Sequence, residues 1–281
     1  MKPMSFPKTP HTLIERLAAG GTNQDWREFV QDYWGPICRF AMRRHNVKLD
    51  NAEEVASQTF EVLLRNQLLP RWISGRNAKL RTLLCGIVGK LLSNLWRVQS
   101  RRQQYLQQLA AELHAGTLPA ETSENVDVFY ASWAEGLLRH TIGDLADSYH
   151  GEGKGDYFRV LYGRLCERLS FAEIAEALEI KQSDADNFYR HVRSRLSQAL
   201  KRSLRKHVQR YCTDEELAQE FSDEWNRLGQ FLSERGGLEN VVRSVYESLD
   251  PVDCGARQTA KVKDTLTRLA PFVAKEGPQP S

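Results

Sequence analysis

Lys90, Asn94, Arg97 and Arg101 recur at steps of four, three and four. On a helix of 3.6 residues per turn that spacing puts one amide and three cations on a single face. Trp96 lies beside it. Cations for phosphates next to a ring for a base are the chemistry of a groove for single-stranded nucleic acid. A solvated helix face normally mixes its charges. Here no Asp or Glu occurs between Val62 and Ala111, while Arg65, Arg71, Arg76, Lys79, Arg81, Lys90, Arg97, Arg101 and Arg102 all fall in that window.

A second constellation runs from Ser170 to His191. Ser170 and Glu173 have the S-x-x-E spacing of a capping box, which starts a helix. Ile174 and Leu178 form its inner face, with small Ala175 where two helices must approach, and Ile180 closes a turn. Ser183 is placed to cap a second helix with Ala185, Phe188 and Val192 inside. This apolar spacing matches a helix-turn-helix, although Glu179 stands where a turn glycine is usual. The second helix would then present Lys181, Gln182, Ser183, Asn187 and Arg190 to a major groove, with Arg193, Arg195 and Lys201 along phosphates. A plain helical hairpin fits the same spacing. The basic run behind it favours DNA: Asn187 to Thr213 holds eight cations and no acid.

The two acid-free windows hold 17 of the 39 Lys and Arg residues, so a net charge of +3 conceals strong segregation. The rest of the chain sets 22 cations against all 36 acids. The expectation is two uncompensated cationic surfaces on an acidic body, touching a polyanion at two places. Catalytic and metal signatures are missing. The seven histidines make no HExxH, and the five cysteines (38, 85, 166, 212, 254) make no CxxC. The Gly151–Gly155 stretch fails as a phosphate loop because Gly follows Lys154 and no strand precedes it. Scattered thiols, the lack of an apolar leader in Met1–Thr12 and a longest apolar run (Leu83–Leu92) broken by Lys90 point to a reduced cytoplasmic location, away from membranes.

The elements that must position these residues are helical, because apolar residues repeat at steps of three and four and no alternating strand pattern occurs. Trp26, Phe29, Val30 and Tyr33 begin one helix, and Pro36 marks the start or kink of the next. Asn51 is placed to cap a helix through Ala56, Phe60 and Leu63, with Glu53 and Glu54 in its first turn. A long helix from about Ala78 to Gln104 carries Leu80, Leu84, Ile87, Leu91, Leu95 and Val98. The segment 111–127 reads as an exposed linker. Helices resume at Phe129, and the basic helix continues to about Tyr211. In the tail, Leu217, Phe221, Trp225, Leu228 and Leu232 mark a further amphipathic helix, with Thr213 and Glu216 at capping-box spacing. The fold class is all-α: a helical domain over 11–110, a linker over 111–127, a helix-turn-helix domain over 128–212 and a helical extension over 213–281.

Taken in order, these pieces resemble a bacterial RNA polymerase sigma factor of the extracytoplasmic-function type, over about Thr12 to Tyr211. "DWREFVQDYWGPICRFAMRR" resembles the opening of sigma region two, and "NAEEVASQTFEVLL" is similar to the acidic helix that docks on the polymerase clamp. "AKLRTLLCGIVGKLLSNLWRVQSRR" resembles the helix that opens the promoter −10 element. "LSFAEIAEALEIKQSDADNFYRHVRSRL" is similar to the region-four helix-turn-helix that reads the −35 element. The long tail resembles that of a subgroup with extended C-termini. Leu83, Lys90 and Asn94 depart from the usual Trp, Asn and Asp, and Ser57 from the usual Gln.

The resemblance implies a transcription initiation factor, not an enzyme, needing no cofactor and no metal. Its partners would be core RNA polymerase and promoter DNA, both duplex and melted strand. Glu53, Glu54 and Gln58 would meet the clamp. Lys79, Arg81, Lys90, Asn94, Trp96, Arg97, Arg101 and Arg102 would hold the −10 region. Gln182, Ser183, Asn187, Arg190, Arg193 and Arg195 would engage the −35 duplex. The tail would pack on the helix-turn-helix domain or bind an anti-sigma or signalling partner. Two rivals stand beside this reading: a helix-turn-helix regulator that works without polymerase, and a sigma-like interaction adaptor.

Overall fold

A computed structural model describes residues 12–75, 79–95, 123–247, 252 and 255–273. They form α-helices α1 (Leu13–Ala18), α2 (Asn23–His45), α3 (Leu49–Arg65), α4 (Leu68–Gly75), α5 (Leu80–Leu95), α6 (Ser123–Gly151), α7 (Gly155–Leu165), α8 (Phe171–Ala177), α9 (Gln182–Val208), α10 (Leu217–Glu234), α11 (Leu238–Glu247) and α12 (Gly255–Val273). Among the described residues there is no strand, and no helix is long and apolar enough to cross a membrane. The chain divides into two compact units, 1–133 with 251–281, and 134–250. The tail therefore does not act as one piece. Its last helix belongs with the N-terminal unit.

The first unit is built on α2, whose wide buried face carries Trp26, Phe29, Val30, Tyr33, Trp34, Ile37, Cys38, Phe40 and Ala41. Phe60 of α3 meets Phe29 edge-on at 5.8 Å and stacks with Trp34 at 6.3 Å. Helix α5 packs on both α2 and α3. Thr12 and Thr22 each close a capping box, with Glu15 and Asp25. Asp25 also receives the Arg16 guanidinium at 2.8 Å, tying α1 to the start of α2. Burial alone would raise the Asp25 carboxyl, but hydrogen bonds from Thr22 and Arg16 bring it below its usual value.

Pro36 neither begins nor splits a helix, since α2 runs through it. A proline inside a helix costs ~3 kcal/mol. Trp34, Ile37 and Phe40 are each 2% exposed or less, and burying such side chains stabilises by about 1.5–3 kcal/mol apiece. Packing on both sides of the proline therefore outweighs its cost. Asn51 is not a cap either: α3 starts two residues earlier behind Lys48, which makes no side-chain capping bond. Residues 123–127, read from sequence as linker, belong to α6.

In the second unit α9 packs on α7, α8 and α10, and α11 packs on α7 and α10. Val160, Ile174, Ala175 and Ala185 form a buried cluster, with Leu169, Phe171, Leu178, Ile180, Phe188 and Tyr189 packed round it. Gly163 lets α7 come close to α8: a Cβ there would sit 3.3 Å from Ile174. The tail contributes α10 and α11 here, split by Gly236 and Gly237, both at positive φ. Glu216 sits at the N-cap of α10 without a capping bond. The Thr213–Glu216 hydrogen bonds close a preceding turn instead.

Helix α12 packs on α2 and α3 through Val262, Thr265 and Leu269, which are 6%, 1% and 1% exposed. Because this helix is part of the core of the first unit, Leu269→Ala should lower the stability of that unit by about 2–5 kcal/mol, the usual range for emptying a buried leucine site. Urea denaturation followed by the near-ultraviolet signal of the buried Trp26 and Trp34 measures it. A loss below about 0.5 kcal/mol would show that α12 lies outside the cooperative core.

Candidate nucleic-acid interface

Helices α8 and α9 are joined by a tight turn at the residues where the spacing predicts one, and that turn can be described bond by bond. Ser170 accepts from the Glu173 amide at 3.2 Å, and Glu173 accepts from the Ser170 amide at 2.7 Å, so the capping box is complete. These bonds hold the Glu173 carboxyl below its usual value. At the other end of α8 the Ile180 amide donates to the Ala175 carbonyl at 3.0 Å and the Glu179 amide to the Glu176 carbonyl at 3.3 Å. This pair of bonds is a Schellman motif, which places Glu179 in the left-handed position that glycine usually fills. Its φ is 54°.

Lys181 occupies the N-cap of α9 and makes no side-chain bond. Ser183, expected as the cap, is already inside the helix and exposed. The α9 backbone gains its first bonds from the Lys181 carbonyl, which accepts from Asp184 and Ala185. Gln182, Ser183, Asn187 and Arg190 are all exposed. On the inner side Phe188 stacks on Tyr157 at 3.8 Å. Two amides, a hydroxyl and a guanidinium thus lie exposed on the first turns of α9, side-chain types able to pair with polar groups of a partner.

The expectation of uncompensated cations fails on this helix. Arg190 pairs with Asp186 one turn back at 2.5 Å. Arg193 meets Glu239 of α11 at 3.5 Å, and the same carboxylate accepts from the Tyr189 hydroxyl at 2.6 Å. Burial and that hydrogen bond push the Tyr189 phenol up to about 12. Arg195 bonds Glu152 at 3.1 Å and lies over the Tyr149 ring at 4.6 Å. Lys201 lies 5.2 Å over the Trp225 ring of α10. The acids absent from the 187–213 window arrive from the preceding turn, the glycine-rich break and the tail. Arg202, Arg205 and Lys206 remain exposed along the C-terminal half of the helix.

In the first unit Lys79 is exposed just ahead of α5. Arg81 lies over the Tyr130 ring at 5.0 Å, so it packs where the sequence suggested a nucleotide contact. Lys90 is half-buried at the edge of a helix that buries Leu83, Leu84, Ile87, Val88, Leu91 and Leu92. The backbone of Asn94 is helical; Trp96, Arg97, Arg101 and Arg102 lie outside the described residues.

The acidic helix departs furthest from expectation. Glu53 is only 4% exposed. The Arg257 guanidinium of α12 donates to both its carboxylate oxygens, at 2.9 and 2.8 Å, and also pairs with Asp50. Lys261 stands 3.9 Å from Glu53. Arg268 lies 3.6 Å from Glu54, whose carboxylate also accepts from Gln58 at 3.0 Å. Beneath these pairs the Thr265 and Ser57 hydroxyls bond at 3.1 Å. Glu53 and Glu54, expected to meet the polymerase clamp, are paired with α12, while Gln58 bonds Glu54 on its own helix. Arg257, Lys261, Thr265 and Arg268 are the partners of this face that sequence reasoning missed. Cations at steps of four and seven on a helix could have signalled a match to the acids of α3, but no local pattern says which acids they meet.

No family model, curated protein or solved structure matches this chain.

Glu179→Gly should stabilise the second unit by about 1 kcal/mol, because only glycine takes the left-handed turn without a steric cost. Chemical denaturation of the two full chains tests it, and an unchanged or lower midpoint would contradict it. The Glu152 carboxyl is pulled down to about 2 by hydrogen bonds from Lys154, Ser148 and Arg195. A depressed carboxyl contributes its stabilisation in full above its ordinary value of 4.5, and loses it as pH falls through the folded value. The Arg195 guanidinium resonance should therefore hold steady from neutral pH down to about 4 and shift with a midpoint near 2. Glu152→Gln should abolish that transition.

Proposed function

We propose that this protein is a sigma factor: it binds core RNA polymerase and directs promoter-specific initiation of transcription. The observation that carries the reading is the α8–α9 pair. Its capping box, Schellman turn and apolar core aim Gln182, Ser183, Asn187 and Arg190 outward from the first turns of a basic helix. The order of the four sigma-like segments supports the polymerase half of the reading. The two DNA contacts are individually weak and gain strength only when one polymerase holds both in reach.

On this reading Asn187 and Gln182 read bases in the −35 duplex. Arg190 trades Asp186 for a phosphate or a guanine edge, and Arg202, Arg205 and Lys206 track the backbone. Arg193 and Arg195 act differently. Their partners Glu239 and Glu152 fix them as supports that hold α9 to its neighbours. Lys79 and Lys90 stand at the −10 side, together with Asn94, Trp96, Arg97, Arg101 and Arg102. The chain is then a binding factor that adds no chemistry of its own, and polymerase supplies the catalysis.

Capture of core RNA polymerase followed by run-off transcription on a genomic promoter library tests the proposal. A specific transcript is expected. Tight binding to promoter duplex with no affinity for polymerase would favour a stand-alone helix-turn-helix regulator, and polymerase binding with no transcript would favour an adaptor. Within the complex, Asn187→Ala should cost ~1–3 kcal/mol of promoter binding and relax preference at one base pair. Arg205→Ala should weaken all sequences alike and reduce the salt slope by about one. Equal effects of both variants on specific and random duplex would remove the base-reading role from α9.

A further inference from the structure

We propose that α12 is a removable cover on the acidic face of α3, and that the site beneath takes a helix presenting arginine or lysine side chains in its place. On the sigma reading, on which this inference rests, that helix belongs to core RNA polymerase.

The face is chemically defined. Asp50, Glu53, Glu54 and the Ser57 hydroxyl line one side of α3, and every one of them is met by a basic or hydroxyl side chain of α12. A carboxylate as buried as Glu53 needs a cation beside it. Any occupant that displaces α12 must therefore supply one, and an apolar or acidic helix would not fit.

The cations of the cover stay partly in water. Arg257, Lys261 and Arg268 are 41%, 47% and 44% exposed even when paired, so water can solvate them as they leave. Asp50 and Glu54 are 82% and 32% exposed, and of the three acids Glu53 alone is deeply buried. The apolar seat of α12 among the described residues is Val262 and Leu269, with Thr265 between them and Arg65 lying 4.2 Å over the Phe272 ring. Helix α2 of the same unit buries thirteen residues. To uncover the face, α12 must leave this seat while α2, α3 and α5 keep their packing on one another.

Two of these acids, Glu53 and Glu54, lie in the segment that is similar to a clamp-docking helix. The cis cation set and a trans one cannot occupy them together. The contact is then a competition: the affinity of the chain for polymerase is scaled by the fraction of molecules whose α12 is off.

The test uses the full chain. Arg257→Glu with Arg268→Glu faces like charge against like charge and should release α12. Hydrogen exchange of the 255–273 amides reports whether it has left. Affinity for core RNA polymerase should then rise at least tenfold over the wild type. In a second protein, Ser57→Cys with Thr265→Cys joins positions whose hydroxyls bond in the wild type. Its oxidised form should bind polymerase at least tenfold more weakly than the same protein reduced. Faster exchange in the charge-reversed chain with unchanged or lower affinity overturns the cover. Equal binding by the oxidised and reduced cysteine protein does so as well. If the wild type, the charge-reversed chain and the reduced cysteine protein all fail to bind, the sigma reading itself falls and takes the named occupant with it.

Discussion

A carboxylate stripped of water costs several kcal/mol unless a cation stands against it, and Glu53 is such a carboxylate. Its position on α3 follows from the helix: Ala52, Val55, Ala56, Thr59 and Phe60 must face the core, and Glu53 and Ser57 flank that face. Among the described residues the cations that reach it are Arg257, 204 residues away, and Lys261. That demand ties the first unit to a helix from the far end of the chain, which the buried Val262, Thr265 and Leu269 also hold in place.

The second unit handles charge differently. Its cations are sorted by what holds them. Arg193 and Arg195 are anchored by carboxylates from other elements, and Lys201 by a ring. These contacts fix the orientation of α9 and so make the exposed set at its N-terminal end rigid. Arg190, with its partner one turn away on the same helix, stays 73% exposed and can change partners without moving the fold. A basic helix is thus part scaffold and part contact surface, and a bare count of positive residues overstates the second role.

What could be read from the sequence was local. Helical periodicity, the Ser170–Glu173 box and the apolar positions 174, 178, 180, 185 and 188 depend on neighbours three or four residues away, and all of them appear in the structure. The failures share one cause. Pro36 looked like a break because the packing that carries α2 through it is tertiary. Asn51 and Ser183 looked like caps because cap preference was weighed without knowing where the helices began. The acid-free windows suggested naked cations, whereas Glu152 and Glu239 are supplied by segments distant in sequence. Of the candidate site, the exposed polar set at the start of α9 was legible. The lining of α3 was not, because complementarity between residues 50–57 and 257–268 leaves no periodic mark.

The long sequence gap between Glu53 and Arg257 also has a consequence in time. At about 5–20 residues per second, a ribosome takes roughly 10–40 s to travel the 204 residues between them. For that interval the cations that pair with Glu53 in the folded unit have not yet been made. Codon choice or pausing between the two helices would lengthen or shorten the wait without altering a single side chain.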